Sequence, residues 1–119
     1  MRRVLIRPDR VGSLATALPA SPIRPENGWC DAPEDRSYNR PVALPYPASY
    51  ERLWRDDHLY DVVVVLSHNE RPRQRYRGSA VFLHIADSEG RPTAGCIAVS
   101  LPDMRKLLAL CGPQTALKI

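Results

Sequence analysis

A histidine, His84, closes one apolar run (AVFLH), and a cysteine, Cys96, follows the glycine that opens another (GCIAV). Between them lies a short polar loop rich in turn residues, residues 87–92. A thiol and an imidazole at the mouths of two strands joined by one loop can meet at hydrogen-bond distance. That is the minimum equipment for a cysteine nucleophile with a histidine base. A free thiol titrates near ~8.5, so at neutral pH it needs a base or a positive field beside it. An imidazole, ordinarily near ~6.5, can supply either. Gly95 allows close backbone approach, so the amide N–H groups around Cys96 are candidates to face a developing oxyanion. The competing reading is a thiol packed as a small hydrophobe in a strand, beside a satisfied core imidazole. Their pairing across one loop favours chemistry.

Other chemistry-bearing residues are weaker candidates. His58 and His68 flank the run DVVVVLS. Either could line the site, with surface positions the leading reading; His68 and Asn69, which leave the end of a central strand, are the better candidate substrate-lining residues. Cys111 falls on the apolar stripe of the last helix and reads as structural, and Cys30, after Trp29, reads as buried. Three cysteines, far apart and without metal-ligand spacing, imply neither a metal site nor a full disulfide framework. The run Arg71, Arg73, Arg75, Tyr76, Arg77 is a basic strip with one aromatic. A solvated hairpin loop explains it best; a nucleic-acid patch or a carboxylate grip are the functional alternatives.

The elements that must position these residues are short and mostly extended. The 119 residues make a single domain, 1–119, with 44% hydrophobic residues and room for one modest core. Most of the 12 prolines precede Ala48, which disfavours long helices in the first half. The net charge of +4 comes from arginine, since only Lys106 and Lys118 are lysines; it suits an anionic neighbourhood but equally a compositional bias. No apolar run approaches the ~20 residues of a membrane span. Arg2-Arg3 is followed by VLIRPDR rather than the apolar stretch of about 7–15 residues that an export signal needs.

Residues 1–6 read as a strand, and residues 9–40 as an irregular, proline-rich segment in which Trp29 and Cys30 serve as anchors. PVALPY (41–46) is a short edge strand, and ASYERLWR (48–55) one or two helical turns with Leu53 and Trp54 inward. Four consecutive valines (62–65) predict a strand buried on both faces, hence central in its sheet. Residues 79–86 form the next strand, with Phe82 and His84 on one face and Val81, Leu83 and Ile85 on the other. After GCIAV, Ser100 caps the clearest helix, whose stripe is Met104, Leu107, Leu108 and Cys111, ended by Gly112-Pro113. TALKI (115–119) closes as a short strand. The fold class is mainly β, with one C-terminal α-helix.

Residues 78–100 resemble the catalytic domain of the L,D-transpeptidase (YkuD-like) family. The resemblance is carried by His84, the spacer IADSEGRP, and Thr93-Ala94-Gly95-Cys96-Ile97, after GSAVFLH and the WRDDHLYDVVVVLSHN strand. It implies a mixed-sheet, β-sandwich-like catalytic fold. It also implies that Cys96 attacks the L-centre carbonyl of a donor stem peptide of peptidoglycan to form a thioester. His84 would take the thiol proton, the backbone amides of Gly95 and Cys96 would form the oxyanion hole, and Thr93 would join the substrate-lining set. No cofactor or metal is implied. An amine of a neighbouring stem would resolve the thioester into a cross-link.

The chain departs from the family pattern at Ala94, where members often carry histidine, and at Ala98, where many carry arginine; the Arg71–Arg77 run is the expected substitute for that arginine. The family domain usually begins several strands earlier, so the chain is expected to start partway in. That would leave an exposed sheet edge and invite a homo-oligomer.

The expected function is therefore an L,D-transpeptidase of the cell envelope or periplasm, with the cytoplasm as the alternative location because no export signal is read. Water as acceptor would make it an L,D-carboxypeptidase or amidase. The non-enzymatic alternative is a cell-wall or nucleic-acid binding module, although no nucleic acid is expected as partner.

Overall fold

The structure is a computed structural model that describes residues 1–67, 79, 81–87 and 96–115. The valine run sets its centre. Val62–Val65 form β6, all four side chains buried, as expected for a strand covered on both faces. On one side β6 pairs antiparallel with β1 (Arg3–Ile6), and β1 pairs parallel with β2 (Ala20–Pro22). On the other side β6 pairs antiparallel with β7 (Phe82–Ile85), and β7 pairs parallel with β8 (Ile97–Val99). The result is a mixed five-stranded sheet of order β2-β1-β6-β7-β8.

Alternation divides the sheet's side chains into two cores. Val4, Val62, Val64, Leu83 and Ile85 point to the face covered by Met104 and Leu108 of helix α2 (Leu101–Leu110). That helix starts as its residues predict. The Ser100 hydroxyl accepts a hydrogen bond from the Asp103 amide at 3.2 Å, and Pro102 sits in the first turn, where its missing N–H costs nothing. Met104 and Leu108 are fully buried, and Leu107 and Cys111 pack partly against the same core. Arg105 ties the helix to the opposite end of the chain by donating to the carbonyls of Val11 and Ser13.

Val63, Val65 and Phe82 face the other way, towards a three-stranded antiparallel sheet of order β4-β3-β5. Its strands are β3 (Asn27–Cys30), β4 (Pro41–Ala43) and β5 (Tyr50–Arg52). Ile23, Trp29, Leu53 and Tyr60 fill the space between the sheets. The molecule is thus mainly β and sandwich-like, as expected.

Two local expectations need correction. Residues 48–55 do not form helical turns: Tyr50–Arg52 is β5, because pairing to β3 satisfies its backbone in register Trp29↔Glu51. Leu53 and Trp54 still face inward, Leu53 2% exposed and Trp54 partly buried. The segment 9–40 is not wholly irregular, since it holds β2 and β3, and a short helix α1 (Pro8–Val11) precedes them. Asn27-Gly28, a dipeptide that ordinarily favours turns, opens β3. Gly28 is needed there for space: a Cβ would lie 2.7 Å from Leu44 Cδ2. PVALPY does supply the edge strand β4, and Trp29 and Cys30 are buried anchors. The strand expected at 115–119 falls outside the described residues beyond Thr115.

Candidate active site

The parallel register of β7 and β8 places the two chemical residues. Leu83 pairs with Ile97 and His84 with Ala98, so Cys96, one residue before β8, stands opposite Phe82. The Phe82 amide donates to Cys96 Sγ at 3.5 Å. Side chains opposite one another in a ladder share a face. Phe82, His84, Cys96 and Ala98 therefore lie on one face, the one towards the second sheet. Cys96 packs against the cluster of Trp29, Tyr60 and Phe82.

His84 is 3% exposed. Its Nδ1 lies 2.8 Å from the carbonyl of Ile85, which can only accept, so Nδ1 carries the hydrogen and Nε2 the free lone pair. One tautomer is thereby set, with the basic nitrogen on the far side of the ring from the backbone. Ala98, opposite His84, keeps the neighbouring position small.

Three aromatic rings wall the site. Phe82 meets Trp29 edge-on at 5.1 Å and Tyr60 edge-on at 5.8 Å. Tyr60 also meets the His84 ring at 5.4 Å with 68° between planes. Its hydroxyl donates a short hydrogen bond to Glu51 Oε1, and Arg55 Cζ sits 5.1 Å from its ring centre. Arg55 is in turn paired with Asp57 at 2.6 Å.

Electrostatics keep Cys96 protonated at rest. Burial pushes its thiol up; the Phe82 N–H pulls it down, and the negative charge of Glu51 adds to the rise. Burial also pushes the Glu51 carboxyl up, against the hydrogen bond from Tyr60 and the positive field of Arg55, with Asp31 raising it further. Tyr60 is raised by burial and then by its bond to Glu51, so it is a hydroxyl donor throughout the working range. A half-buried thiol held protonated becomes a nucleophile only once its proton is removed, and the His84 ring lies on the same face of the sheet.

The other sequence candidates divide. Cys30 is fully buried, with its S–H towards Asp35 at 3.7 Å, in the core rather than at the site. Cys111 lies on the α2 stripe. His58 is exposed and pairs with Asp61 at 2.7 Å. Thr93, Gly95, His68, Asn69 and the run Arg71, Arg73, Arg75, Tyr76, Arg77 lie outside the described residues. Sequence reasoning missed Tyr60 and Glu51. Tyr60 directly precedes the buried valine strand, which was a usable signal; Glu51 was hidden by the helical reading of its segment.

Among the described residues no helix is long and apolar enough to cross a membrane. Neither a curated protein nor a solved structure matches the chain. The family model of the L,D-transpeptidase catalytic domain (YkuD) matches residues 2–119. With that match spanning the chain and a mixed-sheet, mainly β architecture beneath it, the protein belongs to the L,D-transpeptidase catalytic-domain (YkuD) family.

Proposed function

We propose that the protein is an L,D-transpeptidase of the cell envelope that remodels peptidoglycan stem peptides through a thioester on Cys96. The observation that carries this reading is the shared face of Cys96 and His84 on adjacent parallel strands, in a chain of this family. In the acylation step His84 Nε2 takes the S–H proton while the sulfur attacks the donor's L-centre carbonyl. A carbon–sulfur bond forms and the carbonyl π pair moves to oxygen, where the amides of Gly95 and Cys96 receive it. The intermediate collapses with loss of the D-residue amine, which leaves with the proton held by His84. An acceptor amine then attacks the thioester carbonyl and gives up a proton to His84; the carbon–sulfur bond breaks, and His84 returns that proton to the Cys96 sulfur. Thr93, His68 and Asn69 line the substrate in this reading. The Phe82 amide already holds the sulfur in place, and the aromatic wall limits competing water at the thioester.

The test is intact mass after incubation with a carbapenem, whose strained lactam carbonyl acylates a reactive cysteine in this family. One covalent adduct on wild type, absent from Cys96→Ala and slowed in His84→Ala, supports the reading. A folded wild-type protein that takes up no adduct sinks it.

A further inference from the structure

Glu51 and Tyr60 belong to no part of the mechanism above, yet both press on it. Tyr60 follows the loop after β5 and immediately precedes Asp61 and β6, while Glu51 is the central residue of β5, paired in register with Trp29. One side chain thus comes from each sheet's flank, and they join by the Tyr60 hydroxyl donating to Glu51 Oε1. The Tyr60 ring is 5% exposed and lies against both Phe82 and the His84 imidazole. Resting on the cysteine acyl-transfer reading, we propose that Glu51, held through Tyr60, is a positioning residue for the His84 base. Tyr60 fixes the imidazole plane, and the Glu51 carboxylate supports the imidazolium that forms when His84 takes the thiol proton.

The charge logic follows the bonds. When the S–H bond breaks and the N–H bond forms at Nε2, a thiolate and an imidazolium appear together. Glu51 acts against the first and for the second. Once the carbon–sulfur bond forms the sulfur is neutral, while the imidazolium persists until the leaving amine takes its proton. Support for the cation therefore outlasts the cost to the anion. The other charged or titratable groups facing Glu51 are Asp31, next to β3, Arg55, beyond β5, and Tyr60 and His84 themselves. Arg55 is committed to Asp57, so it only partly offsets the carboxylate. Asp31 adds to the negative field. Cys96 faces Glu51, Tyr60 and the Phe82 amide.

The experiment is the rate of Cys96 acylation by a carbapenem across pH, by intact mass, for wild type, Glu51→Gln, Tyr60→Phe and the double variant. Glu51→Gln keeps the shape and the acceptor for the Tyr60 hydroxyl but removes the charge. It is expected to lower the rate at neutral pH roughly tenfold, a fraction of the 10²–10⁴ that a positioned base supplies. Its rate should also begin to rise at lower pH than wild type's, since the Cys96 thiol gives up its proton more readily without the negative charge of Glu51. Tyr60→Phe keeps the ring and loses the tether, and its loss should not add to that of Glu51→Gln in the double variant. A rate loss with an unshifted pH profile would assign Glu51 a merely structural part and overturn the proposal, as would a wild-type profile in Glu51→Gln or additive losses. Failure of wild type itself to be acylated would overturn the underlying reading instead.

Discussion

Phe82 is where the two sheets meet the site, and Phe82→Leu measures what that junction contributes. The ring is 1% exposed and makes two edge-on contacts, to Trp29 at 5.1 Å and Tyr60 at 5.8 Å. Such pairs contribute about 0.5–1.5 kcal/mol each beyond area burial, so losing both removes about 1–3 kcal/mol. Leucine leaves a void of roughly 20 Å³, which at about 24 cal/mol per Å³ adds ~0.5 kcal/mol. The expected destabilisation is about 1.5–3.5 kcal/mol. At about 4 °C per kcal/mol for a chain of this length, the melting midpoint should fall by about 6–14 °C. Urea and thermal unfolding followed by circular dichroism give both numbers. A double-mutant cycle with Trp29→Leu should return a coupling of about 0.5–1.5 kcal/mol. A loss below about 0.5 kcal/mol, with no coupling to Trp29, would refute the view that this ring bridges the sheets and would leave only generic burial.

Three further outcomes are expected. Arg7, 4% exposed, donates twice to Asp9, once to the Arg55 carbonyl, and stacks 3.4 Å over Trp54. Arg7→Lys keeps the charge but not the planar fork, so the urea midpoint should report a loss of about 1.5–3 kcal/mol; an unchanged midpoint refutes it. Glu51 is raised above the ordinary carboxyl value in the fold. Its stabilising contribution is therefore present below the unfolded value and lost as pH rises through the folded one, and subtracting the stability–pH curve of Glu51→Gln from that of wild type should show this fall. A flat difference would mean the carboxyl is not desolvated. Cys96 rests as a thiol, so iodoacetamide should modify it slowly at pH 7 and much faster in alkali, while buried Cys30 stays unmodified in the folded protein. Peptide mapping distinguishes the sites, and rapid neutral alkylation of Cys96 would show a resting thiolate.

What could be read in advance follows from how local each signal is. Val62–Val65 announced itself because burial on both faces erases alternation, and α2 because cap, stripe and stop lie within a dozen residues. His84 and Cys96 were legible as neighbours because only 11 residues separate β7 from β8 in the sequence. β2 and β3 were not. Ala20-Ser21-Pro22 is exposed along its length and owes its extended form to hydrogen bonding with β1, a partner its own side chains do not signal. β3 carries turn-forming Gly28 for the sake of packing against Leu44, and Asn27 because its side chain accepts from the Arg24 amide of the preceding turn. β5 misled because Leu53 and Trp54 mimic a helical face, whereas tertiary pairing decides between helix and strand in so short a segment. Glu51 and Tyr60 became visible only when the two sheets were laid together, since they belong to different elements.

The strand order also sets a sequence of assembly. β3, β4 and β5 are neighbours along the chain, as are β6, β7, β8 and α2, whereas β1 reaches its place only when Val4 meets Val64 from the far half of the chain. Pairings of that separation close slowly, on the order of milliseconds to seconds in small β-rich domains. The shield over Cys96 comes from both groups, Trp29 from the first and Phe82 from the second. During refolding the thiol is unshielded until the groups dock, so a pulse of alkylating reagent would use the nucleophile as a clock for that event.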